Sequence, residues 1–80
     1  MKLSVELSLY PLGEARIGPI IESFIDVLKE DGLEILPGPM STIITGETDA
    51  VFGALRKAYT AAAEKHGVVL VAKFSNACPL

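Results

Sequence analysis

Residues 3–10, Leu3-Ser4-Val5-Glu6-Leu7-Ser8-Leu9-Tyr10, alternate apolar and polar side chains without a break. A period of two places Leu3, Val5, Leu7 and Leu9 on one face of a β-strand and Ser4, Glu6, Ser8 and Tyr10 on the other. One face is built for a core and the opposite one for water, a ligand or a partner. Pro11 and Gly13 are expected to end this strand.

Downstream the period changes. Ile17, Ile20, Ile21, Phe24, Ile25 and Leu28 recur at helical spacing, with Glu22, Ser23, Asp26, Lys29 and Glu30 on the other side. Pro19 suits the first turn of that helix, and Gly32 suits a left-handed C-terminal cap. Leu33 to Leu36 form a short strand, which the Pro37-Gly38-Pro39 connection marks as an edge, because proline cannot donate to a ladder. Ser41 to Glu47 is rich in β-branched residues and forms a third strand. Its faces stay ambiguous, since Ile43 and Ile44 have opposite parity. A second helix opens with Thr48 as N-cap and Asp49 in its first turn, carries Val51, Phe52, Leu55, Ala58, Tyr59 and Ala62 as its stripe, and closes at Gly67. Val68 to Ser75 alternate again, with Val68, Leu70, Ala72 and Phe74 opposed to Val69, Val71, Lys73 and Ser75.

Strand, helix, strand, strand, helix, strand with right-handed crossovers is an α+β, ferredoxin-like βαββαβ sandwich. Its antiparallel sheet is ordered 4-1-3-2, with both helices on one face. One domain over residues 1–80 is expected. A chain this short buries only about 60% of its unfolded surface. Half of its residues are hydrophobic, so apolar surface should remain for a second subunit to cover.

Composition excludes several classes. The net charge is −3 and the seven Lys and Arg are scattered, so no basic stripe exists to neutralise a nucleic-acid backbone. Cys78 is the only cysteine; it offers neither an internal disulfide nor the paired thiolates of a heavy-metal chaperone, and it fits a reducing compartment. Polar residues interrupt the N-terminal stretch, and no apolar run approaches the ~18 residues of a membrane span. A cytoplasmic location and no membrane insertion are expected.

Catalytic constellations are weak. His66 is the sole histidine, near a helix C-terminus beside Lys65, where capping and dipole compensation are its ordinary roles; the sequence shows no acid partner for it. Cys78 has no neighbouring histidine to activate it. Glu22, Asp26 and Glu30 recur every four residues but form a solvated helix face without a histidine to complete a metal set. No glycine-rich phosphate motif occurs, and the Pro11 to Arg16 loop does not resemble the anion cradle of an acylphosphatase. No catalytic residue, metal or resident cofactor is assigned, and the chain is expected not to be an enzyme.

What remains is the helix-free sheet face and its ends. Antiparallel strands bring Ser41 and Thr42 near Ser8, Tyr10 and Pro11, a first cluster of hydroxyls. Thr45, Gly46 and Glu47 approach Ser4 and the segment from Ser75 to Cys78, a second. Glu6 and Lys73 become cross-strand neighbours of opposite charge. Groups that both donate and accept hydrogen bonds suit a small polar heterocycle, and Tyr10 or Phe74 offers a ring for stacking.

The segments Ser8-Leu9-Tyr10-Pro11, Ser41-Thr42 followed by Gly46, Val51-Phe52 with Ala58-Tyr59, and Phe74-Ser75-Asn76-Ala77-Cys78-Pro79 resemble the YkoF-type thiamin/hydroxymethylpyrimidine-binding proteins. The resemblance spans nearly the whole chain in order. It implies a ferredoxin-like domain that binds thiamin or its hydroxymethylpyrimidine half, without chemistry, in thiamin uptake or salvage. Carried over by motif, Ser8 and Tyr10, Ser41 and Thr42, and Ser75 and Cys78 become the ligand-binding candidates. Glu6 and Lys73 match no motif residue. Better known members carry two domains in tandem, so a chain with one implies a homodimer or a dimer of dimers. The alternative is a regulatory module of the same fold that senses another small molecule or mediates protein association.

Overall fold

The structure, a computed structural model, describes residues 1–77. The elements follow in the order β1 (Lys2–Leu12), α1 (Gly18–Lys29), β2 (Glu34–Pro37), β3 (Thr42–Glu47), α2 (Thr48–Ala63) and β4 (Gly67–Ser75). The strands form one antiparallel sheet ordered β2-β3-β1-β4, the expected 4-1-3-2 read from the other edge. The chain is an α+β ferredoxin-like βαββαβ sandwich.

A single core lies between the sheet and both helices. Leu3, Val5, Leu7 and Leu9 from β1 and Ile44 from β3 meet Phe24 and Leu28 of α1 and Val51, Ala54, Leu55 and Ala58 of α2. Val5, Leu28, Ile44, Val51, Ala54 and Ala58 are wholly inaccessible to solvent. The pairing of Val5 with Ile44 resolves the parity left open in β3: Ile44 faces the core and Ile43 the helix-free side.

Several local expectations change. Pro11 lies inside β1, opposite Val68. Pairing with β3 stops at Leu7 and Thr42, so beyond Leu7 the strand has one neighbour instead of two, and a missing N–H is tolerated there. Gly13 takes the left-handed turn that follows, at φ +70°. Gly32 adopts φ +71° after α1, as expected of a cap glycine. Gly67 does not close α2; it is the first residue of β4, without positive φ. Thr48 is not the N-cap either. Glu47 holds that position in extended conformation, and the Thr48 hydroxyl and N–H both donate to the Met1 carbonyl at 2.9 Å, tying the start of α2 to the start of β1. On α2, Phe52 and Tyr59 are exposed while Ala54, outside the expected stripe, is buried, because the buried arc of the helix is turned toward Ala54 and away from Phe52 and Tyr59.

Candidate functional site on the helix-free sheet face

Side chains of directly opposed residues stand on the same side of a sheet. The register therefore lays out the helix-free face row by row. One row runs Glu34, Thr45, Ser4, Ser75 across all four strands, and the next runs Leu36, Ile43, Glu6, Lys73. Further along β1, Ser8 opposes Val71 and Tyr10 opposes Val69.

Three of the first-cluster candidates gather on this face. Ser8 is half-buried, Tyr10 is 53% exposed, and Ser41, just before β3, donates its hydroxyl to Glu6 Oε2 at 3.0 Å. Thr42 does not join them. It pairs with Leu7 and is 8% exposed, so its side chain belongs to the core. Adjacent residues in a strand point to opposite faces, and an ST pair cannot present both hydroxyls to one ligand.

Part of the second cluster also lies on this face; Gly46 does not, since it pairs with the core residue Leu3. Ser4 Oγ and Thr45 Oγ1 lie 3.5 Å apart, and Ser75 sits across from Ser4 with its own hydroxyl accepting the Ala77 N–H at 3.1 Å. Cys78 lies outside the described residues. Ser4 and Ser8 are four positions apart along β1, roughly 13 Å at strand rise, so the candidates form two groups with Glu6 between them.

Glu6 is the group that motif matching left unassigned. Its Oε2 accepts from Ser41 and its Oε1 lies 3.7 Å from Lys73 Nζ. The lysine side chain is 81% exposed and the glutamate 46%, so water screens this ion pair and it holds Lys73 only loosely. Of the two, the carboxylate has a second partner in Ser41 and the ammonium is the more exposed. The polar parity of Glu6 within residues 3–10 was the available signal for it. Glu34, in the hydroxyl row, carried no such signal, because its face follows only from the β2–β3 register.

Of the cavities that the described residues form, two concern the site. One of about 340 Å³ opens at the end of the hydroxyl row and is lined by Lys2, Asp31, Glu34, Thr45 and Glu47 among others. The other, of about 350 Å³, lies between the helices, with Phe24, Val27, Ala58 and Ala62 lining it and Lys65 and His66 contributing polar groups. His66 does have an acid partner: its Nδ1 is 3.1 Å from Glu14 Oε2, which ties the turn before β4 to the loop after β1. Of the spaced carboxylates on the first helix, Asp26 faces Lys29 at 3.8 Å and Glu30 faces Lys57 at 3.7 Å. Among the described residues no group of His, Cys, Asp or Glu is placed to hold a metal ion, and no helix is long and apolar enough to cross a membrane.

The βαββαβ order and the antiparallel β2-β3-β1-β4 sheet define the ferredoxin-like class. Within it, the profile of a family described as thiamine-binding protein matches residues 5–75, and the chain belongs to that family. No curated protein matches it. Among solved structures, a hypothetical protein of Methanocaldococcus jannascii is 26% identical with a TM-score of 0.86, over 94% of this chain and 79% of that one. A Streptococcus pneumoniae protein is 27% identical with a TM-score of 0.84, over 94% and 86%. A Thermotoga maritima protein provisionally described as acting in thiamine biosynthesis or salvage shares the fold at 19% identity and a TM-score of 0.84, over 94% and 83%.

Proposed function

We propose that this chain binds thiamin or its hydroxymethylpyrimidine half as cargo, without chemistry, on the helix-free face around Glu6, as a paired assembly in the cytoplasm. The observation that carries the reading is the match to the thiamine-binding family over residues 5–75. The chemistry of the face supports it. An aminopyrimidine presents ring-nitrogen acceptors beside an amino donor, which serine hydroxyls and a carboxylate can satisfy together. Ser8, Ser41 and Glu6 supply that combination. A thiazolium cation favours an aromatic face and an acidic surround; Tyr10 exposes its ring and the chain carries a net charge of −3.

Amide chemical-shift mapping on titration with thiamin tests the location. The expected shifts fall on residues 4–10, 41–45 and 71–75. Shifts confined to the interhelical cavity would move the site to the other side of the molecule, and no shifts at ~1 mM thiamin or hydroxymethylpyrimidine would end the reading.

A further inference from the structure

The two helices leave a space between them that their side chains do not fill. Phe24 and Val27 line it from α1, while α2 contributes only the methyl groups of Ala58, Ala61 and Ala62. Three alanines opposite larger residues leave about 350 Å³ open, at the small end of the roughly 300–1,000 Å³ that ligand pockets span. Packed interiors hold few voids larger than a water molecule. A space of this size suits an occupant.

Floor and rim differ in chemistry. At the floor Phe24 is 4% exposed and Ala58 wholly inaccessible. Ser23, Lys65 and His66 bring the polar side chains, and of these Ser23 and Lys65 are exposed. No Asp or Glu lines the space, although the chain carries a net charge of −3. Glu64, the carboxylate next to Lys65 in sequence, lines a separate groove with Arg56 and Lys57.

The ammonium of Lys65 is not used elsewhere. The last turn of α2 closes on its own backbone, with the Glu64 N–H donating to the Thr60 carbonyl at 3.0 Å and the His66 N–H to the Ala62 carbonyl at 3.0 Å. His66 is held by Glu14 at 3.1 Å. Among the described residues the side chain of Lys65 has neither a carboxylate nor a carbonyl partner.

We propose that the interhelical cavity binds a small monocarboxylate with an apolar body. The body lies against Phe24, Val27 and the three alanines, and the carboxylate sits at the rim on Lys65, with the Ser23 hydroxyl as a second donor. A lysine stem can follow an apolar wall while its ammonium stays at the water boundary, and its charge-assisted bond to a carboxylate is stronger than a neutral one. An organic cation would meet no carboxylate on this wall, and a neutral body would leave the ammonium unused. The cavity lies on the helix side of the sheet, across the core from Glu6, so the inference does not rest on the ligand proposed for the helix-free face.

Amide chemical-shift titration with sodium hexanoate tests it, beside hexan-1-ol and hexylammonium, which keep the body and change the head group. Hexanoate should shift residues 20–28 and 58–66 by ~10 mM, and the other two should bind at least about fivefold more weakly. Lys65→Gln, at an exposed position, should weaken hexanoate about fivefold and leave hexan-1-ol unchanged. Ala61→Phe, also at an exposed position, should fill the space and abolish the hexanoate shifts. No shifts at ~10 mM, or hexan-1-ol bound as tightly as hexanoate, overturns the carboxylate assignment. Shifts on residues 4–10 or 71–75 instead, or binding that survives Ala61→Phe, overturns the location. The head-group series uses the wild-type chain, so a misfolded variant cannot obscure it. Thiamin is absent throughout, so the outcome stands whether or not thiamin binds the sheet.

Discussion

Ser41 and Thr42 are neighbours in sequence and lie on opposite sides of the sheet, and replacing each in turn separates the two faces. Ser41 donates to Glu6 Oε2 at 3.0 Å in an exposed setting. Ser41→Ala removes that bond where water can take its place, so folding stability should fall by less than ~1 kcal/mol. If the ligand sits on Glu6, the same change removes a donor and frees the carboxylate to move, costing about 1 kcal/mol of binding, roughly fivefold in Kd. Thr42 is 8% exposed against Leu7, and its hydroxyl makes no side-chain hydrogen bond among the described residues. Thr42→Val should leave Kd within about twofold and stability within ~1 kcal/mol. Calorimetric titration with thiamin reads the first quantity and urea denaturation the second. Lost affinity in Thr42→Val with none lost in Ser41→Ala would refute the assignment of the site to the helix-free face. Equal Kd in both would move the ligand away from this end of the sheet.

Other substitutions test the frame that holds the face in place. Leu28 is wholly inaccessible in the core, so Leu28→Ala should cost about 3 kcal/mol, read as a lower urea midpoint at unchanged m-value. Gly32 holds φ +71°, and although a Cβ there meets no atom within 4 Å, Gly32→Ala should destabilise by roughly 1 kcal/mol through backbone strain alone. A double-mutant cycle on Phe52 and Phe74, stacked at 5.1 Å, should return a coupling of about 0.5–1.5 kcal/mol; additive losses would mean that the rings do not stack in solution.

The sequence made the fold legible wherever its period was clean. Alternation across residues 3–9 separated core from open face, and the same two sets appear as buried leucines and valine on one side and Ser4, Glu6 and Ser8 on the other. β3 was illegible in this respect because Ile43 and Ile44 are equally apolar and β-branched; only the pairing of Val5 with Ile44 decides which one enters the core. That choice also decided Thr42, two residues earlier on the same face, and removed it from the candidate site. Proline breaks ladders, which makes Pro11 look like a stop, but β1 outlasts its pairing with β3 at that point and needs a partner on one side only. The tie between His66 and Glu14 spans 52 residues and left no local trace. Glu6 lay on the polar face from the start. Its place between the two hydroxyl groups emerges only when β3 and β4 are set on either side of β1.

The proposed function is that this member of the thiamine-binding family holds a thiamin-type ligand without transforming it. Isothermal titration of the chain with thiamin and, separately, with hydroxymethylpyrimidine tests it most directly, with the recovered ligand analysed by mass. Saturable heat with at least one of the two, and ligand recovered unchanged, is the expected result. No heat at ~1 mM of either, or recovery of an altered molecule, would contradict it.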